Sequence, residues 1–269
     1  MNKPLALSPL GGVRFGTPGK PILVLLHGFL GSHQDWHALL PQLAPWVDGY
    51  CLDLPGHGLS RTLALQTAPA FDEVVALLLA TLPAKQPFHL FGYSLGGRIA
   101  LQVAAHCPAR LLSLTLESAH HGLNSPQARQ QRLLDDGQWQ QRLLTLGMDD
   151  FLGHWYQQPV FADLSESARQ SMRQARLDNN PIALAAMLMG TSLGHQQPQL
   201  SLPLPTVLLT GEQDCKFTQL AQAWRDPHLA HLVIQGAGHN IHASQPQAIV
   251  TALLAQIRVS DGASSVSCG

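Results

Sequence analysis

The sequence predicts an α/β protein whose mostly parallel central sheet is flanked by helices and interrupted by an inserted helical cap. Short apolar runs alternate along the chain with segments whose apolar residues recur at helical spacing, which is typical of strand–helix repeats. A segment near the middle of the chain breaks this alternation because it contains no clear apolar run. The chain has 269 residues and is 45% hydrophobic, which is enough for one large domain with an insertion.

The predicted strands are short, mostly apolar runs without polar alternation, as expected for strands that are buried on both faces of a sheet. In chain order the strands are predicted over residues 22–26, 49–54, 88–92, 111–117, 206–211 and 231–235. The helices of the same core are predicted over residues 71–82, 96–105, 219–223 and 246–257. Open sheets of this kind bind ligands outside the carboxyl ends of their strands, so we expect the cap to cover that edge.

The predicted core consists of residues 1–121 and 200–259, and the predicted cap of residues 122–199. Polar amphipathic stretches at residues 127–146, 165–177 and 181–193 predict the helices of the cap. Residues 260–269, with the sequence SDGASSVSCG, are small and polar, and we expect them to be disordered.

The composition argues against several classes of function. A formal net charge of −1 provides no overall field for nucleic acid or for an acidic membrane surface. No apolar run is long enough to span a bilayer and no secretory signal is evident, so we expect a cytoplasmic protein. The four cysteines are scattered without metal-binding spacing, which predicts reduced thiols and no metal site.

The motif Gly92-x-Ser94-x-Gly96 lies between a predicted strand and a predicted helix, which is the context of a nucleophile elbow. A sharp strand-to-helix turn requires small flanking residues. It exposes the serine hydroxyl at the N-terminus of a helix, where developing negative charge is favoured. The alternative is a serine that only caps a helix after a glycine turn. The strand–turn–helix context favours a catalytic Ser94.

Asp214 and His239 are the candidate partners of Ser94. Asp214 follows the predicted strand 206–211, and His239 lies in a glycine-rich loop after the strand 231–235. The aspartate would fix the imidazole tautomer, and the histidine would accept the serine proton. A turn aspartate and a loop histidine are the alternative interpretations. Asp53, in DLPGHG, is a rival acid whose position fits a turn better.

The loop after the first predicted strand is the candidate oxyanion hole. The backbone N–H of Phe29 is expected to converge with the N–H of Leu95 on a developing negative charge. His27, at the start of that loop, is expected to order the loop rather than to react.

The segments LLHGFLGS, DLPGHGLS, GYSLGGR, TGEQDCKF and GAGHNIH together resemble the α/β-hydrolase superfamily. A closer resemblance is to the 2-succinyl-6-hydroxy-2,4-cyclohexadiene-1-carboxylate synthases of menaquinone biosynthesis. It rests on GYSLGGRIAL, on Glu117-x-x-His120-x-Gly122-Leu123, and on two cap segments, WYQQPVFADL and LDNNPIALAAMLMGTSLG. The cap segments make this second resemblance more specific than the elbow motif. The segment beyond about residue 258 has no counterpart.

The resemblance implies a lyase that removes the proton next to a ketone and expels pyruvate, with no metal or organic cofactor. Ser94 would then act as a base that His239 and Asp214 polarise. The implied substrate is a small molecule with three carboxylates. The residues that would bind it by resemblance are Arg98 beside the elbow, Arg132 and Arg176 from the cap, and the pocket-lining Tyr93 and Trp155.

Two other functions remain open from the sequence. One is a small-molecule serine hydrolase with the same triad, such as an esterase, a thioesterase or a carbon–carbon bond hydrolase. The other is a non-catalytic binding protein with the same fold. The three arginines could equally be surface charges paired with nearby aspartates, and Tyr93 and Trp155 could be packing residues. We expect a monomer, although nothing in the sequence determines the oligomeric state.

Overall fold

A computed structural model describes residues 3–5 and 8–266, with side chains described as far as residue 259. An eight-stranded sheet forms its centre, with the strand order β1-β2-β4-β3-β5-β6-β7-β8. The strands are β1 Lys3–Pro4, β2 Gly12–Gly16, β3 Ile22–Leu26, β4 Asp48–Leu52, β5 Phe88–Tyr93, β6 Leu111–Glu117, β7 Thr206–Gly211 and β8 Leu229–Ile234. β2 pairs antiparallel with both β1 and β4, and the remaining pairs of the sheet, from β4 through β3 to β8, are parallel. This confirms the predicted α/β class with a mostly parallel sheet.

β1 and β2 were absent from the sequence prediction. β2 has the sequence GVRFG, in which glycines flank a single apolar–charged–apolar alternation, so it lacks the continuous apolar run of a central strand. Its position explains the difference, because β2 lies towards one edge of the sheet and Arg14 is partly exposed there. The other edge strand, β8, begins two residues before the predicted strand 231–235.

The helices fall into two groups. Those of the core are α1 Leu40–Leu43, α2 Phe71–Thr81, α3 Leu95–His106, α8 Cys215–Ala223, α9 Ile241–Ser244 and α10 Pro246–Val266. Those between β6 and β7 are α4 Pro126–Thr145, α5 Met148–Trp155, α6 Glu166–Gln174 and α7 Pro181–Gly190. All four of the latter lie in residues 122–199, the segment predicted to be the cap. The boundaries between core and cap stay a prediction. Residues 260–266 continue α10 where disorder was predicted, and residues 267–269 lie outside the described residues.

Local sequence signals explain where the cap helices begin. Ser125, Ser165 and Asn180 each accept a hydrogen bond from a backbone N–H in the first turn of α4, α6 and α7, respectively. α4 and α7 also carry a proline at the first helical position, where its missing N–H costs nothing. α8 begins at Cys215, earlier than the predicted helix 219–223, because the Asp214 side chain caps it by accepting from the Phe217 N–H.

Alternate residues of each central strand pack on opposite faces of the sheet. In β3, Val24 belongs to an apolar cluster with α2 and α3, whereas Leu23 and Leu25 belong to a second cluster with Trp36 and α10. A third cluster joins the cap helices to the core through Leu30. Within residues 3–5 and 8–266, none of the helices has the length and apolar character needed to cross a bilayer.

Candidate active site

Ser94 occupies a strained turn between β5 and α3. Its φ and ψ are 49° and −107°, a backbone conformation that costs a non-glycine residue about 1–3 kcal/mol. The Ser94 N–H donates to the carbonyl of Glu117 on the neighbouring strand at 2.8 Å, which helps to hold the turn. The strain therefore comes from the fold around the serine, as in a nucleophile elbow.

The two glycines of the motif allow α3 to approach the sheet. A Cβ added to Gly92 would lie 2.4 Å from the carbonyl oxygen of Gly96. A Cβ added to Gly96 would lie 2.1 Å from the carbonyl oxygen of Leu26, at the end of β3. Both contacts are with backbone, which cannot move aside, so any larger residue would push α3 away from the sheet.

Asp214 and His239 come together beside Ser94. The His239 Nδ1 and the Asp214 Oδ2 are 2.6 Å apart, and the His239 Nε2 lies 3.3 Å from the Ser94 Oγ. Both partners are buried. A carboxylate on Nδ1 keeps the proton there and leaves Nε2 as the acceptor for the serine hydroxyl. The three side chains predicted as a triad are therefore in hydrogen-bonding order, and their catalytic role stays a proposal.

Aromatic rings enclose the imidazole of His239. The ring centre of Phe217 lies 4.7 Å from that of His239, and the ring centre of Tyr93 lies 5.4 Å from it on a tilted plane. Tyr93 is itself buried and fills the space above Gly28, where an added Cβ would meet its ring at 2.6 Å. Tyr93 thus packs against His239 and does not line the cavity in front of Ser94.

Two neutral histidines order the loop that carries Phe29. The His27 Nε2 accepts from the Leu54 N–H at 3.0 Å, and the His57 Nε2 accepts from the Leu30 N–H at 2.9 Å. Complete burial lowers the pKa of His27 and lowers that of His57 to about 3, so both rings remain acceptors at neutral pH. Leu30 has a φ of 70°, which is a second point of backbone strain at this site.

The Phe29 and Leu95 backbones flank Ser94 on the wall of one cavity. Leu95 is the first residue of α3, so its N–H has no acceptor within the helix. Among the described residues, the Phe29 N–H has no hydrogen-bond acceptor either. These two donors are available to an oxygen of a bound ligand, and their role as an oxyanion hole stays a prediction.

The cavity in front of Ser94 has a volume of about 430 Å³. Of the residues predicted to bind substrate, Arg98, Arg132 and Trp155 line it. The indole of Trp155 packs against Phe29 with ring centres 5.1 Å apart, which joins the cap to the oxyanion loop. Across the part of the chain that the structure describes, no cluster of three or more His, Cys, Asp or Glu side chains could hold a metal ion.

Arg98 is a poorly compensated cation in this cavity. Its Nη1 donates to the carbonyl of Thr191 at 2.6 Å, and no carboxylate forms an ion pair with it among the described residues. Burial and the nearby charge of Arg132 lower the pKa of Arg98 to about 9. A guanidinium in this position is stabilised when an anion enters the cavity.

Arg132 is partly neutralised by its own helix. Its Nε donates to the Asp136 Oδ1 at 2.8 Å, and the Asp136 Oδ2 accepts from the Ser192 hydroxyl at 2.6 Å. This carboxylate is buried, so it holds the guanidinium in one orientation at the cavity wall. The remaining N–H groups of Arg132 stay available to a ligand.

Arg176 and Tyr93 do not line the cavity beside Ser94. Arg176 is buried, and its Nη2 donates to the Asp35 Oδ1 of a core loop at 3.0 Å. It borders a different cavity, lined by the loop at residues 30–37 and by His242. The three arginines therefore do not share one cavity, because the carboxylate of Asp35 engages Arg176, and the role of Arg176 in substrate binding stays a prediction.

The sequence interpretation missed two polar residues of the cavity wall, His120 and Lys216. His120 lies in the Glu117–Leu123 segment that had been noted only as a point of resemblance. Lys216 lies two residues after Asp214, in TGEQDCKF. The signal that could have found Lys216 is this spacing, because the first turn of a helix capped by the triad acid faces the same edge of the sheet.

Comparison with known proteins agrees with this geometry. The family model described as alpha/beta hydrolase fold matches residues 21–246. A 2-succinyl-6-hydroxy-2,4-cyclohexadiene-1-carboxylate synthase of Enterobacter sp. (strain 638) is 43% identical over 92% of this chain and 95% of its own. The synthase of Klebsiella pneumoniae (strain 342) is 42% identical over 91% of this chain and 96% of its own. The chain belongs to this synthase family of the α/β-hydrolase fold.

Solved structures agree with the family assignment. The structure of MenH from S. aureus superimposes with a TM-score of 0.81 at 28% identity, covering 92% of this chain and 97% of that chain. A thermophilic esterase from Thermogutta terrifontis superimposes with a TM-score of 0.75 at 23% identity, covering 97% of this chain and 99% of its own. The second comparison shows the shared fold alone. The predicted α/β-hydrolase fold is confirmed.

Proposed function

We propose that this chain is a lyase of menaquinone biosynthesis. It eliminates pyruvate from 2-succinyl-5-enolpyruvyl-6-hydroxy-3-cyclohexene-1-carboxylate and forms 2-succinyl-6-hydroxy-2,4-cyclohexadiene-1-carboxylate. The synthases that are 40–43% identical to this chain carry that name. The observation that carries the proposal within this chain is the half-buried guanidinium of Arg98, with Arg132 nearby, on the wall in front of Ser94. An acyl chain would not stabilise these cations, whereas the carboxylates of this substrate would.

In the proposed reaction, Ser94 is the base. His239 accepts the proton of the Ser94 hydroxyl, and the serine oxygen removes the ring proton next to the succinyl ketone. The electron pair of that C–H bond moves through the ring double bond and breaks the C–O bond of the enolpyruvyl ether. Pyruvate leaves in its enol form, and the ring gains its second double bond. The proton taken by His239 returns to the leaving group or to water, so atoms and charges balance.

The Phe29 and Leu95 N–H groups stabilise the enolate that forms on the ketone oxygen. They would hold a tetrahedral oxyanion equally well, which explains how one scaffold serves both hydrolysis and elimination. The difference lies in what the cavity presents to the serine. Two arginines hold a carboxylated ring so that an acidic C–H, and not a carbonyl carbon, faces the Ser94 oxygen.

The test is pyruvate release by the purified protein, followed with a coupled dehydrogenase assay. We expect release well above the spontaneous rate when the protein is given the freshly made enolpyruvyl adduct.

The second candidate, a serine hydrolase, is favoured by the Ser94–His239–Asp214 hydrogen-bond order alone. Rapid turnover of p-nitrophenyl esters without pyruvate release would establish that second function. The predicted cytoplasmic location belongs to the same proposal and is checked by fractionating cells.

A further inference from the structure

Lys216 is a cation on the cavity wall whose charge is not neutralised. It lies in the first turn of α8, two residues beyond Asp214, and its side chain is exposed. Its Nζ lies 5.8 Å from the ring centre of Phe217, the ring that also packs on His239. Among residues 3–5 and 8–259, no carboxylate is within ion-pair distance of this ammonium group.

The other cations near the site each have a hydrogen-bond partner within the protein. Arg132 is paired with Asp136, and Arg98 donates to the carbonyl of Thr191. Arg176 is paired with Asp35 and lies outside this cavity. A substrate with three carboxylates therefore finds two arginines in the cavity, and Lys216 is the remaining cationic side chain of its lining.

His120 is a neutral hydrogen-bond donor on the same wall. Its Nδ1 accepts from the Gly122 N–H at 3.0 Å, so the neutral ring carries its proton on Nε2. Burial and the charges of His121, Arg98 and Lys216 lower the pKa of His120 to about 3. The ring is therefore held in one tautomer, with the Nε2–H as its donor. It stays neutral and adds no positive charge to the cavity wall.

We propose that Lys216 and His120 form a third carboxylate-binding subsite. Lys216 supplies the charge, and His120 supplies a directed N–H, a combination that favours a carboxylate over a neutral group. The inference rests on the proposed function, because it is that substrate which carries a third carboxylate.

The decisive variant is Lys216→Met, which removes the charge from an exposed side chain and keeps most of the chain length. We expect KM for pyruvate release to rise about tenfold to a hundredfold, as for the loss of one charge-assisted hydrogen bond. We expect kcat to change by less than threefold or so, because the contact is equal in the ground and transition states. Lys216→Arg should stay within about fivefold of the wild-type KM. Lys20→Met, at an exposed position outside the cavity lining, is the matched control.

A binding measurement separates this proposal from the proposed function. Calorimetric titration of Ser94→Ala with the tricarboxylate substrate measures affinity without turnover, and adding Lys216→Met should weaken it by the same factor. Adding His120→Gln should weaken it less, because glutamine keeps a donor near the Nε2 position. Absent pyruvate release by the wild type would refute the proposed function and leave the titration valid. A Lys216→Met protein with unchanged KM and Kd overturns the subsite.

Discussion

At the scale of single residues, the first prediction concerns Ser94, the proposed base, which lies in a strained turn beside His239. Ser94→Ala removes the proposed base but keeps a side chain of similar size in the same turn. We expect pyruvate release to fall by roughly 10³-fold or more, because removing one member of a triad removes most of its effect. Thermal unfolding should change little, which controls for misfolding. A variant that retains more than a tenth of the wild-type rate would exclude Ser94 as the base.

His57 provides a prediction about pH and stability. Its pKa is lowered to about 3 in the folded protein, against about 6.5 in the unfolded chain. Below pH 6.5 the unfolded chain therefore binds a proton that the folded protein does not, and the stability contribution of His57 is lost as the pH falls. His57→Gln keeps an acceptor for the Leu30 N–H and removes the titration.

The measurement is the free energy of unfolding in urea at pH 7.5 and at pH 5.5. The wild type should lose about 1 kcal/mol more than His57→Gln over this interval, which follows from one unfolded-state histidine titrating near 6.5. Comparing the two slopes cancels the contribution of the other histidines, which both proteins share. Equal slopes would show that His57 is not kept neutral by burial.

At the scale of elements, the ion pair between Arg176 and Asp35 joins the segment after α6 to a loop of the core. Arg176→Ala leaves the mostly buried Asp35 carboxylate without its partner, and we expect a loss of about 3 kcal/mol of unfolding free energy. The double variant Arg176→Ala with Asp35→Ala should recover part of that loss, because no uncompensated charge remains. Chemical denaturation of the single and double variants measures the coupling.

The same variants distinguish the two roles considered for Arg176. If the side chain holds the cap segment on the core, Asp35→Ala should disturb stability about as much as Arg176→Ala. A large rise in KM for Arg176→Ala, together with unchanged stability, would return Arg176 to the substrate-binding set. The Asn179 side chain also joins the cap segment to the core, because it donates to the Leu30 carbonyl at 3.0 Å. An Asn179→Ala variant should lower the free energy of unfolding without removing a charge.

The elements that were predicted correctly share one physical property. β3, β5 and β7 are buried on both faces, so their sequences are continuous apolar runs that stand out without an alignment. β2 was missed because its sequence, GVRFG, alternates apolar and charged residues between two glycines and contains no continuous apolar run. The cap helices were predicted from the spacing of apolar residues within polar stretches, which is a local signal in the chain. The serine and asparagine caps that begin α4, α6 and α7 are local signals as well.

At the scale of the whole molecule, we predict a monomer of 29.1 kDa. The exposed large apolar side chains are spread over separate elements, such as Trp46 after α1, Leu134 on α4 and Ile182 on α7. Such scattered residues are usual on monomer surfaces. Sedimentation velocity at several concentrations measures the mass. A concentration-dependent dimer would contradict the prediction, and the edge strand β8, where Leu232 is half-exposed, would be the first place to introduce a lysine.

The sequence by itself determined the fold class, the order of the triad residues and the elbow. These features depend on strand periodicity, on glycines at fixed offsets, and on the rule that parallel strands end at one edge. Only the tertiary structure decided which charges line the cavity in front of Ser94. Arg176 looked equivalent to Arg132 in the chain, but Asp35 engages it, and Lys216 went unnoticed. The reason is physical: partners 141 residues apart in sequence meet only after folding, and an arginine's role depends on which carboxylate it meets.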